Sequence, residues 1–134
     1  MSSIRDEIEA SALGAAEIYA SGIEQSGNAR RSFCFAPEFI GFSGHFPGMP
    51  ILPAMLQTLM AQMLAQQVLP PGVALAGVKR AKFARQVGPA TVIEVELAWR
   101  FTLGQWLCNA TLRAQEQEAS SMMLIFEKNE ERVA

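Results

Sequence analysis

The longest uncharged stretch of the chain, residues 39–78, limits the possible folds more than any other feature. It contains no Asp, Glu, Lys or Arg, and it holds the only histidine, His45. Within it, residues 53–68 spread apolar, small and amide side chains around every face of a helix, which is typical of a helix surrounded by protein. Pro53 suits a helix start, and the Pro-Pro-Gly sequence at 70–72 stops the helix. The stretch predicts a central buried helix over 53–68, preceded by a loop rich in proline and glycine.

The sequence around this helix alternates with the period of two that is typical of β-strands. The clearest strand is residues 93–103, with Ile93, Val95 and Leu97 on one face and glutamates on the other. Gly104 follows this strand, and a second alternating run begins directly after it, so a hairpin is expected there. The other predicted strands are residues 14–24, 30–36, 106–114 and 121–127.

The ends of the chain are predicted to be a short N-terminal helix within residues 1–12 and a frayed charged tail at 128–134. A chain of 134 residues lies within the usual range of one domain. One antiparallel sheet curled around one central helix would bury both the helix and one face of the sheet. The sequence therefore predicts a single α+β domain over residues 1–134.

The net charge and the residue composition disfavour several classes of function. A net charge of -2 gives no overall basic field, so a nucleic-acid partner is not expected. The central helix carries four glutamines between flanking prolines, which favours a buried helix of a soluble protein over a membrane span. Cys34 and Cys108 match no metal-ligand spacing, and the N-terminus has no apolar signal region. We therefore expect a cytoplasmic protein.

Two motifs, GHFPGMPILPAML at residues 44–56 and AGVKRAKFAR at residues 76–85, occur in the order and spacing of one known family. Together they resemble the hot-dog-fold 3-hydroxyacyl-[acyl-carrier-protein] dehydratases of the FabA/FabZ type. The resemblance covers about residues 33–127. It implies the hot-dog fold, an antiparallel sheet wrapped around one central helix, and removal of water from a 3-hydroxyacyl thioester.

The resemblance also implies roles for residues around the start of the central helix. His45 matches the family's catalytic base, and the backbone amides of Ala54 and Met55 would polarise the thioester oxygen. Gly48 and Leu59 are predicted to contact substrate, Leu59 beside an acyl-chain tunnel. The family carries Glu or Asp fourteen positions after the histidine, and Leu59 occupies that position here.

A basic cluster downstream, with no acid before Glu94, has two interpretations: a solvated strand edge, or a docking surface for an acidic acyl carrier protein. Its members are Lys79, Arg80, Lys82 and Arg85, and Arg30 and Arg31 are weaker candidates. The resemblance implies no metal or other cofactor, and it implies a substrate carried on phosphopantetheine. It also implies a homodimer, or a heterodimer with a related hot-dog subunit that supplies the missing acid, and possibly a larger oligomer.

Two other functions stay open. The chain could be a non-catalytic subunit that binds acyl thioesters or a partner, because the acidic position is Leu59. It could also be a hot-dog thioesterase, which needs a carboxylate or an activated water near the helix start. The nearest acid in sequence is Glu38, which precedes the histidine, so the thioesterase ranks last.

Overall fold

The computed structural model describes residues 3–20, 26–42 and 50–129, and in these residues one antiparallel sheet wraps one long helix. The sheet has 6 strands in the order β1-β2-β4-β5-β6-β3. The predicted α+β class is confirmed. The elements are α1 (Ile4–Ala10), β1 (Glu17–Ala20), β2 (Ser26–Cys34), a 3-10 turn (Ile40–Phe42), α2 (Ala54–Val68), β3 (Val73–Phe83), β4 (Val92–Thr102), β5 (Gln105–Ala114) and β6 (Gln117–Lys128).

The central helix α2 lies against the concave face of the sheet and contacts every strand from β2 to β6. Pro53 is its N-cap in an extended conformation, and the helix ends at Val68 before Leu69. The face toward the sheet is fully covered by protein; its members are Gln57, Met60, Ala61, Leu64 and Ala65. In the described part of the chain, no helix combines the length and the apolar character needed to cross a membrane.

Strands β4 and β5 form the middle of the sheet. Buried and exposed side chains alternate along them as the sequence predicted. Ile93, Val95 and Leu97 point into the core, and Cys108 lies beside them on the same face. Burial raises the pKa of the Cys108 thiol to about 12, so this cysteine is a core residue without nucleophilic character. Leu103 was expected to extend the strand, but it lies in the turn and is 97% exposed.

The β5–β6 connection is shorter than the sequence indicated. Gln115 and Glu116 form a two-residue turn in which both residues have positive φ, 54° and 64°. β6 therefore begins at Gln117. The polar segment at residues 115–120 continues the hairpin and does not form a loop. The tail prediction is wrong for its first residues, since Lys128 pairs with Val73 and the Asn129 amide donates to Gly72 O at 2.7 Å. Residues 130–134 lie outside the described residues.

One edge of the sheet is the long strand β3, which pairs with β6 alone among the described strands. Its register with β6 shifts between Lys79 and Lys82, where Arg80 has a φ of 56°. This is a β-bulge, a device that twists an edge strand. The opposite edge, β1, is only 4 residues long.

The first helix is tied to the sheet by a bidentate ion pair. Arg31 Nη2 lies 2.6 Å from Glu9 Oε2, and Arg31 Nη1 lies 2.9 Å from Glu9 Oε1. Arg31 sits in the inward-facing row of β2 between Ala29 and Phe33, and its side chain is only 10% exposed. The hydrogen bonds from Arg31 hold the pKa of the Glu9 carboxyl below its usual value of 4.5.

We expect Glu9→Gln to destabilise the fold at neutral pH by about 0.5–1 kcal/mol, because the ion pair is partly exposed. A carboxyl whose folded pKa is lowered stabilises the protein above its unfolded pKa, and that contribution disappears as the pH falls through the folded value. The difference from the wild type should therefore vanish in acid. Urea unfolding at several pH values measures it. Glu38→Gln, at an exposed residue without an ion pair among the described residues, should show no such pH-dependent difference.

An aromatic cluster fixes the chain just before the histidine loop. The Phe35 and Phe39 rings stack with centroids 4.3 Å apart, and Phe42 meets Phe39 edge-on at 5.7 Å. Gly41 fits into this cluster because a Cβ atom there would collide with the Phe39 ring and with Leu56 Cδ1 on α2. The start of the loop is thereby packed against the start of α2.

Gly41→Ala is expected to destabilise the protein by about 1–3 kcal/mol, because ring and helix must both move to admit the methyl group. Chemical denaturation of the two proteins measures this difference. The matched control is Gly77→Ala on β3, where a Cβ atom meets nothing within 4 Å, so its stability should stay within about 0.5 kcal/mol of the wild type. Equal effects of the two substitutions would contradict the packing assigned to Gly41.

Candidate functional site

The start of α2 presents backbone amides without partners. The amides of Leu56 and Gln57 both donate to Pro53 O at 3.1 Å, whereas those of Ala54 and Met55 have no acceptor among the described residues. Pro53 offers no side-chain cap. An uncapped helix start carries partial positive charge, and its amides can bind an oxygen that gains negative charge.

A cleft of about 530 Å³ opens beside this helix start. One wall is the segment from Ile51 through Ala54 with Gln57, and the other is Phe83 with the three residues that follow β3. Leu52 of the first wall donates its amide hydrogen to Val87 O at 2.7 Å, and Val87 directly follows the last residue of the second wall. The described lining contains Arg85 but no carboxylate, so this part of the cleft lacks the acid that a dehydratase or thioesterase would use.

His45 and Gly48 lie outside the described residues. The chain that carries them leaves the described structure at Phe42 and returns at Pro50. Phe42 is anchored in the aromatic cluster, and Pro50 is three residues from the N-cap of α2. Their roles as base and substrate contact therefore stay predictions.

The remaining predicted site residues on α2 have different environments. Met55 is 78% exposed, whereas Leu59 is half-buried and packs against the core. The Thr58 hydroxyl donates to Ala54 O at 3.1 Å, so it is occupied by the helix backbone. The acidic position of the family is thus filled by an apolar side chain that contributes to packing.

All four residues of the basic cluster are exposed, and none forms an ion pair with a described acid. Lys79, Arg80 and Lys82 lie along the bulged part of β3, and Arg85 reaches the cleft. The two weaker candidates, Arg30 and Arg31, differ from these four residues because each forms an ion pair within the chain. Arg30 pairs with Glu17 at 2.9 Å, and Arg31 is held by Glu9.

The burial of two polar residues was not recognised from the sequence. Gln57 is buried at the cleft, and Ser120 is buried on the inner face of β6. Periodicity could have found both: Gln57 shares a helix face with Met60 and Leu64, and Ser120 alternates in phase with Met122. The strand predicted at 121–127 excluded Ser120 by one residue.

A second cleft, of about 370 Å³, lies on the outer face of the sheet near Tyr19, Arg30 and Glu96. Its charged side chains are already paired, Arg30 with Glu17 and Glu96 with Arg113 at 3.1 Å. This cleft offers no group for acyl-thioester chemistry, and the start of α2 stays the candidate site.

Known proteins match the chain across this site. The family model of the ApeI-like proteins, ApeI dehydratase, matches residues 22–123. The 3-hydroxyacyl-[acyl-carrier-protein] dehydratase FabZ of Thermus thermophilus is 31% identical over an alignment of 97 residues, and the match covers 64% of this chain and 68% of the relative. FabZ of Desulforamulus reducens is 36% identical over an alignment of 98 residues, and the match covers 65% of this chain and 69% of the relative.

Among solved structures, the dehydratase heterocomplex ApeI:P from Xenorhabdus doucetiae contains a chain with a TM-score of 0.69 and 21% identity. The alignment covers 87% of this chain and 96% of that one. At this identity the likeness concerns the fold, which is the predicted hot-dog fold. Since the family model matches well over half of the sequence, the chain belongs to the ApeI-like dehydratase family.

Proposed function

We propose that the protein removes water from a 3-hydroxyacyl thioester to give a 2-enoyl thioester, or catalyses the reverse hydration. The observation that carries the proposal is the uncapped start of α2 facing a cleft, with the amides of Ala54 and Met55 unpartnered in the described structure. Membership of a dehydratase family and the similarity to FabZ enzymes support the same reaction.

The proposed mechanism assigns two tasks to this chain. His45 takes the proton from C2 of the acyl group, and the charge that develops on the thioester oxygen is stabilised by the Ala54 and Met55 amides. The C3–O bond then breaks, and the departing hydroxyl needs a proton from an acid. Leu59 cannot supply it, so a partner subunit or a bound water must.

A related hot-dog subunit is the partner proposed here. The edge strand β3, 11 residues long, can pair with another chain, because edge strands present unpaired backbone groups. A homodimer would bring together two sites that both lack the acid, whereas a heterodimer could supply a carboxylate. The dehydratase heterocomplex among the structural neighbours supports this arrangement. Such an assembly would act in the cytoplasm.

Acyl carrier protein is the proposed donor of the substrate, because the exposed basic cluster complements an acidic partner. Reversing two charges, Lys79→Glu with Lys82→Glu, should lower kcat/KM for an acyl-carrier-protein substrate on the order of tenfold at low salt. The rate with the same acyl group on pantetheine should not change. Lys128→Glu, at the far end of β6, is the matched control. Equal losses on both substrates would contradict docking at this cluster.

The enoyl absorbance that accompanies dehydration tests the reaction itself. The purified protein, alone and mixed with a related hot-dog subunit, is given 3-hydroxyacyl thioesters of several chain lengths on carrier protein and on pantetheine. Enoyl formation is expected, and activity confined to the mixture would identify the partner as the source of the acid. Absence of enoyl product in every combination contradicts the proposal, and release of free thiol would indicate a thioesterase.

A non-catalytic subunit that binds acyl thioesters is the second candidate, and Leu59 is the observation that favours it. Its half-buried side chain packs against the core at the position where the family carries an acid. In that case His45→Ala would leave the activity of the assembled complex unchanged.

A further inference from the structure

A polar cleft of about 630 Å³ adjoins the cleft beside the helix start. The two clefts share one wall, residues 84–86, which directly follow β3. The far wall of the polar cleft is formed by Thr91 and by the β5–β6 turn with Gln115 and Gln117. A molecule that occupies both clefts therefore has to cross residues 84–86.

The shared wall is fixed by backbone hydrogen bonds. The amides of Ala84 and Arg85 donate to Ala119 O on β6 at 2.8 and 3.2 Å. Val87, directly after the wall, is 2% exposed and accepts the hydrogen bond from the Leu52 amide. Because the wall is held in place without a ligand, binding across it requires little ordering of the backbone.

The linings of the two clefts differ in their chemistry. Apolar side chains from residues 51–54 and Phe83 form most of the cleft beside the helix start, whereas three glutamines, a threonine and Arg85 line the polar cleft. Arg85 is the one charged residue in the described lining of either cleft, and it belongs to both. This pair of clefts matches a molecule with an apolar end and an arm of uncharged polar groups.

The glutamines of the polar cleft have free amide groups. Gln86, Gln115 and Gln117 are exposed, and none of them forms a side-chain hydrogen bond in the part of the chain that the structure describes. A primary amide donates and accepts, so three of them in one cleft match a ligand that itself carries amides. Most of the other described glutamines are already hydrogen-bonded within the chain; they are Gln57, Gln66, Gln67 and Gln105.

We propose that the polar cleft binds the amide-containing arm of the pantetheine group that carries the acyl chain. The arm has two secondary amides in series, and each offers an N–H and a carbonyl to the glutamine side chains. Its sulfur end then crosses residues 84–86 and brings the thioester to the amides of Ala54 and Met55. This inference rests on the proposed function and adds the route of the substrate, which runs within one subunit and leaves the edge of β3 to the partner.

Three thioesters of the same 3-hydroxyacyl group test this route. The first is carried on pantetheine with both amides, the second on N-acetylcysteamine with one, and the third on a simple alkyl thiol with none. Initial rates of enoyl formation by the active assembly should give a kcat/KM that falls about threefold to tenfold with each amide removed. The double variant Gln86→Ala with Gln117→Ala should lose most of this preference and keep the wild-type kcat/KM on the alkyl thioester.

The matched control is Gln62→Ala on α2, because Gln62 lines neither cleft and also forms no side-chain hydrogen bond in the described structure. It should keep the wild-type preference. Equal kcat/KM for the three thioesters in the wild type, or an equal loss on all three in the double variant, shows that the route is wrong while the proposed function stands. If no thioester gives enoyl product, the proposed function fails and the inference fails with it.

NMR gives a second readout that needs no turnover. With an unreactive acyl-pantetheine amide bound, the geminal methyl protons of the arm should show nuclear Overhauser contacts to the side-chain amides of Gln115 or Gln117. Contacts to Val78 and Lys79 on the edge of β3, or the absence of any contact to the polar cleft, would overturn the route.

Discussion

Replacing His45 with glutamine is expected to lower kcat for dehydration by about two to four orders of magnitude, the usual contribution of a positioned base. Glutamine keeps much of the size and polarity of histidine but cannot take the C2 proton. The loss should appear in kcat, because the proton transfer occurs in the transition state, and only weakly in substrate binding. Initial rates of enoyl formation over a range of substrate concentrations separate the two.

The control for this substitution is the affinity for a saturated acyl-pantetheine amide, which should match the wild type because no proton is moved. Retention of the wild-type kcat by His45→Gln would contradict the assignment of the base. It would favour the non-catalytic subunit, in which the measured activity belongs to the partner.

Phe39→Ala is expected to destabilise the fold by about 3–5 kcal/mol, a large fraction of the stability of an ordinary domain. The ring is 7% exposed, stacks on Phe35 and contacts Phe42 edge-on, so its removal leaves a cavity where the chain enters the histidine loop. Denaturant unfolding gives the free energy. Phe39→Leu should lose clearly less stability, since the leucine side chain fills part of the cavity.

The same cluster allows a double-mutant cycle. A Cβ atom at Gly41 collides with the Phe39 ring, so Gly41→Ala should cost less in the Phe39→Ala background than in the wild type. Leu56 still opposes the methyl group, so part of the cost should remain. Fully additive effects would show that the ring and Gly41 do not share this space.

Much of the fold could be predicted because the pattern of apolar and charged residues along the sequence is simple. The uncharged run gave the central helix to within one residue at its start, and strict alternation gave β4 and β5. The connections were less predictable, since Gln115 and Glu116 adopt positive φ without the glycine or asparagine that normally indicates such a turn. Leu103 was placed in a strand because it continues the alternation, although it adopts a φ of 52° in the turn before Gly104.

The candidate site was predicted in part. The motif located the start of α2, where the structure has unpartnered amides, and the sequence alone showed that Leu59 occupies the acidic position. The burial of Gln57 and Ser120 was missed, because it depends on how α2 and β6 pack in the folded domain. A sequence motif identifies residues near the reacting groups. Whether a polar side chain is buried, and whether it has a hydrogen-bond partner, is visible only in the folded structure.

Addition of deuterium at C2 tests the central claim most directly. A 2-enoyl thioester is incubated with the active assembly in deuterated water, and the product is examined by NMR and mass spectrometry. The proposed site predicts a 3-hydroxyacyl thioester with one deuterium in a single stereochemical position at C2, formed by the wild type and not by His45→Gln. Absence of hydration, free thiol in place of the hydroxyacyl thioester, or the same product rate from His45→Gln would contradict it.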